Sequence, residues 1–422
     1  MGQEQLSSQE SGPISRRTLI KSVVLVAGAA ALTPSLAFAA GQAGQAQQGT
    51  PPSVITNPPR DWSPGGPPEI YGDPDIIQID PSFGNYMLGI TAIHRLSTGF
   101  KWSEGPAWSA QGNYMLWSDV QANIQYRMIW EDMRVTDTQN NARATRFRDP
   151  SNNSNGNSFD FQGRQLSTED FNRRVIRWEN DGTLTVIADS YNGKPLNSPN
   201  DLVPHTDGSI WFTDPPYGDT LSEGHPDTAG GSTNPAGRLN PAIGAPNAGV
   251  IGGQQRQNPA QVYRWDPSGS LSVVIPEEDI GTPNGIAFSP DYKTLYVIST
   301  GKGPGQTGPG GDGKIYQWDV SADGKSVSNK RLFTDMTVDG VHCGPDGMRA
   351  DVDGNMWCSS NAPLGYSGVL TVNPAGKIIG RIRLPEACAN LVFGGPKRNF
   401  LLMCASQSVY ALQVQTQGAA PG

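Results

Sequence analysis

Six segments of the chain begin at a polar residue with a side-chain oxygen: Glu104, Asn155, Asn200, Asn284, Asp346 and Asn390. Four of them are followed directly by Gly and three are preceded by Pro. Taken singly, Asn-Gly and Asp-Gly are hairpin-turn signals. The set fits something else, because Glu104 is not a turn residue and each segment is followed by a turn signal of its own. Two carboxylates and several amide oxygens, with no Cys or His in register, suit a hard cation such as Ca²⁺. Glu104 and Asp346 balance a divalent charge. With Asn200 and Asn284 they make four protein ligands, fewer than the roughly six to eight that Ca²⁺ takes, which leaves room for water and substrate. An open shell of this kind suggests catalysis.

These residues need a frame that brings them together. Each opens an apolar strand, followed by a turn and a second, aromatic strand, as in Pro199-Asn200-Asp201-Leu202-Val203 and then Ile210-Trp211-Phe212-Thr213-Asp214. Further strand pairs lie between, opened by Val175-Ile176-Arg177-Trp178, Val262-Tyr263-Arg264-Trp265, Ile315-Tyr316-Gln317-Trp318 and Val369-Leu370-Thr371-Val372. The starts are 51, 45, 84, 62 and 44 residues apart. About four short strands per unit, at a period of roughly 40 to 50 residues, predict an all-β, six-bladed β-propeller over residues 70–415. A large β-sandwich is the alternative. In a propeller, equivalent positions converge on the central axis, so the six polar residues face one channel. The long gap reflects an insertion at 219–260, rich in Gly, Pro, Asn and Ala, which reads as a lid or as a passive surface loop.

The composition agrees. The 422 residues include 51 Gly and 35 Pro, which disfavours a helical fold, and only 17% are charged. A net charge of -8 argues against nucleic acid or an anionic membrane as partner. At the start, Arg16-Arg17 precedes an apolar run at 23–32 and Ala37-Phe38-Ala39, the pattern of a cleaved twin-arginine signal over residues 1–39. The expectation is a protein handed to the twin-arginine translocase, periplasmic or secreted, and not membrane-bound when mature. Residues 40–69 read as a flexible linker. Cys343, Cys358, Cys388 and Cys404 lack zinc-site spacing, and either disulfides or buried thiols suit them.

The motifs Glu104-Gly105-Pro106, Asn197-Ser198-Pro199-Asn200-Asp201-Leu202, Trp211-Phe212-Thr213-Asp214-Pro215-Pro216-Tyr217-Gly218, Pro283-Asn284-Gly285 and Pro345-Asp346-Gly347-Met348 closely resemble the gluconolactonase and senescence-marker-protein (regucalcin) family. The resemblance runs from about residue 90 to 412. It implies Glu104, Asn284 and Asp346 as metal ligands, Asn200 on metal or substrate, and Asp346 as general base. Asn200, Tyr217 and His342 are the candidate substrate contacts. The chain departs from the pattern at Ser198, where regucalcin-like members carry a substrate-holding Arg, and at Asp170, where related lactonases often carry His.

The reaction so implied is metal-dependent opening of a sugar lactone such as D-glucono-1,5-lactone. The divalent cation, Ca²⁺ foremost and Zn²⁺, Mn²⁺ or Mg²⁺ otherwise, polarises the carbonyl while Asp346 activates water. His342, four residues before Asp346, is a second candidate base. The rival readings are a calcium-dependent phosphotriesterase-like hydrolase and a non-catalytic binding propeller. No Gly-x-Ser-x-Gly elbow supports a serine hydrolase.

Overall fold

A computed structural model describes residues 72–134, 144–219, 223, 258–301 and 311–419. The proposed signal, the linker and most of the 219–260 insertion lie outside the described residues. Alternating apolar residues separated by Gly-containing turns fold into antiparallel four-stranded meanders, each running in chain order from the axis outward. The first blade is Ser103–Ser109, Tyr114–Asp119, Ile124–Ile129 and Thr145–Arg148, and the second is Ser154–Phe159, Gln165–Glu169, Arg174–Trp178 and Leu184–Ala188. The third runs Leu202–Pro204, Ile210–Asp214, Gln261–Trp265 and Leu271–Ile275, and the fourth Pro283–Phe288, Thr294–Ser299, Lys314–Val320 and Val327–Thr334. Met348–Ala350, Met356–Ser360, Gly368–Val372 and Ile378–Arg383 make the fifth, which gains an outer strand from Ile76–Gln78. The sixth combines Cys388–Gly394, Phe400–Ala405 and Ser408–Gln413 with His94–Thr98 from the other end of the chain. Innermost strands pack on their neighbours around the ring, the sixth against the first. This is the expected six-bladed propeller.

Single sheets cannot bury both faces, so the core lies between blades. Trp357, Val369 and Ile382 of the fifth blade pack on Leu391, Phe393 and Met403 of the sixth. Trp211 and Val262 meet Ile286, Leu295 and Trp318 across the third and fourth. The first and second blades differ: their apolar contact is reduced to a small group around Ala107, Leu116 and Phe159. Beside it lies a closed polar network. Gln125 Nε2 donates to Ser154 Oγ at 2.7 Å and Asn157 Oδ1 at 2.9 Å, and Asn157 Nδ2 donates to the Gly105 carbonyl at 2.8 Å. A satisfied buried network trades some apolar gain for a fixed geometry of the strands carrying Glu104 and Asn155.

The glycines after the polar residues are not hairpin turns. Gly156 and Gly285 lie inside innermost strands, where Gly156 N donates to the Asn200 carbonyl and Gly285 N to the Asp346 carbonyl, both at 2.8 Å. They are small because the next blade's backbone passes there. Gly105 is the extreme case: its φ is +54° and a Cβ would lie 1.9 Å from the Asn155 carbonyl oxygen. Gly105→Ala is expected to cost at least ~2 kcal/mol in urea denaturation, from strain plus the clash. Gly182→Ala, at φ +84° with nothing within 4 Å, should cost only about 1 kcal/mol. Equal losses at the two sites would refute close approach as the cause.

Candidate active site

Register breaks aim the site residues. The innermost strands are bulged between Glu104 and Ala107, Ser154 and Asn157, Pro283 and Ile286, and Cys388 and Asn390. A bulge turns one side chain out of the pleat, and in four blades it falls at the polar residue. Asn200 and Asp346 instead lie just ahead of the short strands Leu202–Pro204 and Met348–Ala350, with Asp201 and Gly347 between.

Two of the motifs prove to be one interlocked device. Asp214 accepts from Asn197 N and Ser198 N, each at 2.9 Å. Ser198 Oγ donates to the Pro215 carbonyl at 2.6 Å and accepts from Gly218 N at 2.8 Å. The Asp-Pro-Pro-Tyr-Gly turn is thereby pinned to the segment that leads into Asn200. It presents the Tyr217 hydroxyl to Asn284 Nδ2 at 3.5 Å. Ser198 thus spends its hydroxyl holding the turn.

Glu104 is buried, and Oε1 accepts from Asn390 Nδ2 at 2.8 Å while Oε2 is buried with no partner. Burial, and then the facing charge of Asp346, push its carboxyl well above the usual range. Asn390 is itself fixed, its Oδ1 accepting from Leu391 N at 2.8 Å, so it orients Glu104. Burial pushes Asp346 up to about 7, aided by the charge of Asp201 and opposed by the amides of Asn284 and Asn361. Ser359 Oγ accepts from both Asp346 N and Gly347 N at 3.0 Å, fixing the loop. Tyr217 is driven upward by burial first and by Asp346 next, so its phenol stays a neutral donor.

Next to this group, Asp201 pairs with Arg349 Nη1 at 3.2 Å. Glu104, Asp346 and Asp201, with Glu223 facing Asp346, make four carboxylates around a site whose one guanidinium pairs with Asp201, so negative charge is in formal surplus. Among the described residues no group of three or more His, Cys, Asp or Glu side chains is arranged as a metal site. The donor set here is two carboxylates with amides, and the orphaned Oε2, the all-oxygen chemistry and the charge surplus fit one divalent hard cation.

Glu104, Asn284, Asp346 and Tyr217 are therefore tied together by contact or charge. Asn200 is buried just ahead of the third blade's innermost strand. His342 is exposed on the hairpin of Thr337–Val338 and Val341–His342, its ring beside Gly313. Sequence reasoning missed Asn361, the Arg349 counter-charge and Glu223, the last a residue of the insertion pushed up to about 7 by burial and by facing Asp346. Asn361 and Arg349 stand away from the first polar position of their unit, so no repeat signal marks them. All four cysteines are buried free thiols.

Residues 102–407 match the family described as SMP-30/Gluconolactonase/LRE-like region. The chain belongs to this family. It is 27% identical over 358 residues to a gluconolactonase of Zymomonas mobilis, covering 81% of this chain and 87% of that one. Among solved structures it resembles a putative gluconolactonase at a TM-score of 0.64 and 28% identity, over 82% of this chain and all of the other. A gluconolactonase from Xanthomonas campestris gives a TM-score of 0.61 at 28% identity, over 80% of this chain and 94% of that one.

Proposed function

We propose that the protein is a lactonase that opens sugar lactones such as D-glucono-1,5-lactone to the aldonic acid with the help of one divalent cation. The carrying observation is the buried Glu104–Asp346 pair, drawn from the first and fifth blades on either side of the sixth, with a carboxylate oxygen left unpartnered. Glu104, Asn200, Asn284 and Asp346 would hold the cation, Ca²⁺ by preference for an all-oxygen set. When bound, it supplies Lewis acidity toward the ring carbonyl and acidifies water.

The chain's own residues do the rest. Asn390 keeps Glu104 in place through its amide. Tyr217 offers a neutral hydroxyl at the edge of the site, placed by the Ser198 clamp. The Asp346 carboxylate receives a proton from the attacking water. Attack on the carbonyl breaks the acyl–oxygen bond of the ring, and the departing ring oxygen, once protonated, becomes the hydroxyl of the open-chain acid.

The pattern at residues 1–39 supports export, which would set the reaction outside the cytoplasm. Among the described residues no helix is long and apolar enough to cross a membrane. The test is proton release from D-glucono-1,5-lactone by the purified protein, as isolated, after chelation and after Ca²⁺ re-addition. Hydrolysis lost on chelation and restored by Ca²⁺ is the expected result. Folded protein that leaves the spontaneous rate unchanged at every stage would refute the reading.

A further inference from the structure

One buried carboxylate beside the site stands outside the four residues assigned to the cation. Asp170, at the turn after the strand Gln165–Glu169, is 1% exposed. Its Oδ2 accepts a single long bond from Asn155 Nδ2 at 3.3 Å, while its Oδ1 is buried with no hydrogen-bond partner. Asn155 Oδ1 is likewise buried and unpartnered. Two adjacent acceptors without a donor are costly in a folded interior. Such a pair is explained when a ligand supplies the missing donors.

The position of Asp170 says which ligand. A Cβ built on Gly218 would lie 2.7 Å from Ser198 Cβ and 3.3 Å from Asp170 Cβ, so the turn bearing Tyr217 seats directly on Asp170. Tyr217 in turn reaches Asn284. Asn155, Asp170, Gly218 and Tyr217 thus form a continuous arc from the second blade that ends on Asn284, one of the four residues assigned to the cation. Burial first, and then the charge of Glu223, push the Asp170 carboxyl well above the usual range, with Asp214 adding to the rise and the Asn155 amide and Arg173 opposing it. Arg173 directs Nη1 to the Asn197 carbonyl.

We propose that Asp170, together with Asn155, is a hydroxyl-recognition subsite that makes this protein select polyhydroxylated lactones over hydroxyl-free ones. This rests on the lactonase reading and adds to it the residue that reads the sugar. Hydroxyl groups of the lactone ring donate to Asp170 Oδ1 and Asn155 Oδ1, and a lactone without them leaves both acceptors empty. A site built to bond a hydroxyl discriminates strongly against an analogue that lacks it. Asp170 here determines specificity and takes no part in bond breaking.

The experiment measures kcat and KM of the Ca²⁺-loaded protein for D-glucono-1,5-lactone and for δ-valerolactone, a hydroxyl-free lactone of the same ring size. Wild type is compared with Asp170→Asn and Asp170→Ala, thermal melts confirming folding. The expected result is a fall in kcat/KM for the sugar lactone on the order of tenfold or more, chiefly in KM, with δ-valerolactone changed by less than about twofold. Parallel losses on both substrates would make Asp170 merely structural and overturn the proposal, as would no loss on either. Wild-type protein active on δ-valerolactone alone would keep the lactonase and overturn the subsite. Inactivity toward both lactones would bring down the lactonase reading and the subsite with it.

Discussion

Asp346→Asn is expected to lower kcat toward D-glucono-1,5-lactone by about 10³-fold or more at saturating Ca²⁺, while the metal-free protein melts no lower than wild type. The activity loss combines two effects of one atom. The amide cannot take a proton, and general-base contributions alone run to about 10²–10⁴. It also removes one of the two negative charges that balance the cation. The stability expectation follows from the cost of that charge. Burial and mutual repulsion hold Glu104 and Asp346 above the usual carboxylate range, so in the metal-free protein a neutral side chain of the same shape relieves strain. Its neighbours Asn284 and Asn361 can both bond an amide. Activity within tenfold of wild type would exclude Asp346 as the base, and a melting point several degrees lower would mean that the loop depends on the carboxylate for its shape.

The second large effect is on the coupling of pH, cation and stability. Asp346 rises from an ordinary value of 3.8 to about 7, Glu223 from 4.5 to about 7, and Glu104 rises well above 4.5. The folded, metal-free state therefore binds protons more tightly than the unfolded chain at these positions. Their contribution to stability is complete below the unfolded values and is lost as pH rises through about 7. The chelated protein should melt at progressively lower temperature from pH 5 to pH 8. Adding Ca²⁺ should reverse the trend, because the cation displaces those protons and binds best once they have left. At 100 times its dissociation constant a ligand adds ~2.7 kcal/mol, so the gain should be plain at pH 8 and small at pH 5. Melts with and without Ca²⁺ at both pH values provide the check. An equal gain at both would show that the cation binds elsewhere.

Much of this site is legible in the sequence because propeller geometry makes equivalence a matter of spacing. Glu104, Asn155, Asn200, Asn284, Asp346 and Asn390 each begin a repeat and each reach an innermost strand or its threshold. The Gly beside four of them is legible too, though for a different reason than turn chemistry: the neighbouring blade's backbone carbonyl occupies the space of a Cβ at Gly105, Gly156 and Gly285, and the Asn390 side chain occupies it at Gly347. Less could be read where residues of the same type divide the work. Asn390 and Asn284 look alike in sequence, yet Asn390 spends both ends of its amide on Glu104 and Leu391. Ser198 stands where a substrate-holding Arg was expected by resemblance, and its hydroxyl instead clasps the Tyr217 turn. Arg349 lies 148 residues from Asp201. No local pattern records a pairing over that distance, and the same holds for the polar contact between the first two blades, where Gln125 Nε2 donates to Asn157 Oδ1.

The sixth blade has a consequence for how the molecule comes to exist at all. Its outer strand is His94–Thr98, among the earliest to be synthesised, and it must find Ser408–Gln413, among the last. The bond from Ser408 Oγ to Thr98 Oγ1, at 3.0 Å, joins residues 310 positions apart. Closure of so long a loop is entropically dear, and pairings of such high contact order slow folding. Until it happens the first strand's edge is bare, open to pairing with another chain. Since the sixth blade also carries Asn390, which holds Glu104, the cation site cannot be complete before the ring has closed. A circular permutant in which His94–Thr98 followed Ser408–Gln413 would turn this slow encounter into a local hairpin, leaving the packing of the sixth blade on the first, with Asn390 on Glu104, as the one step that still joins the two ends of the chain.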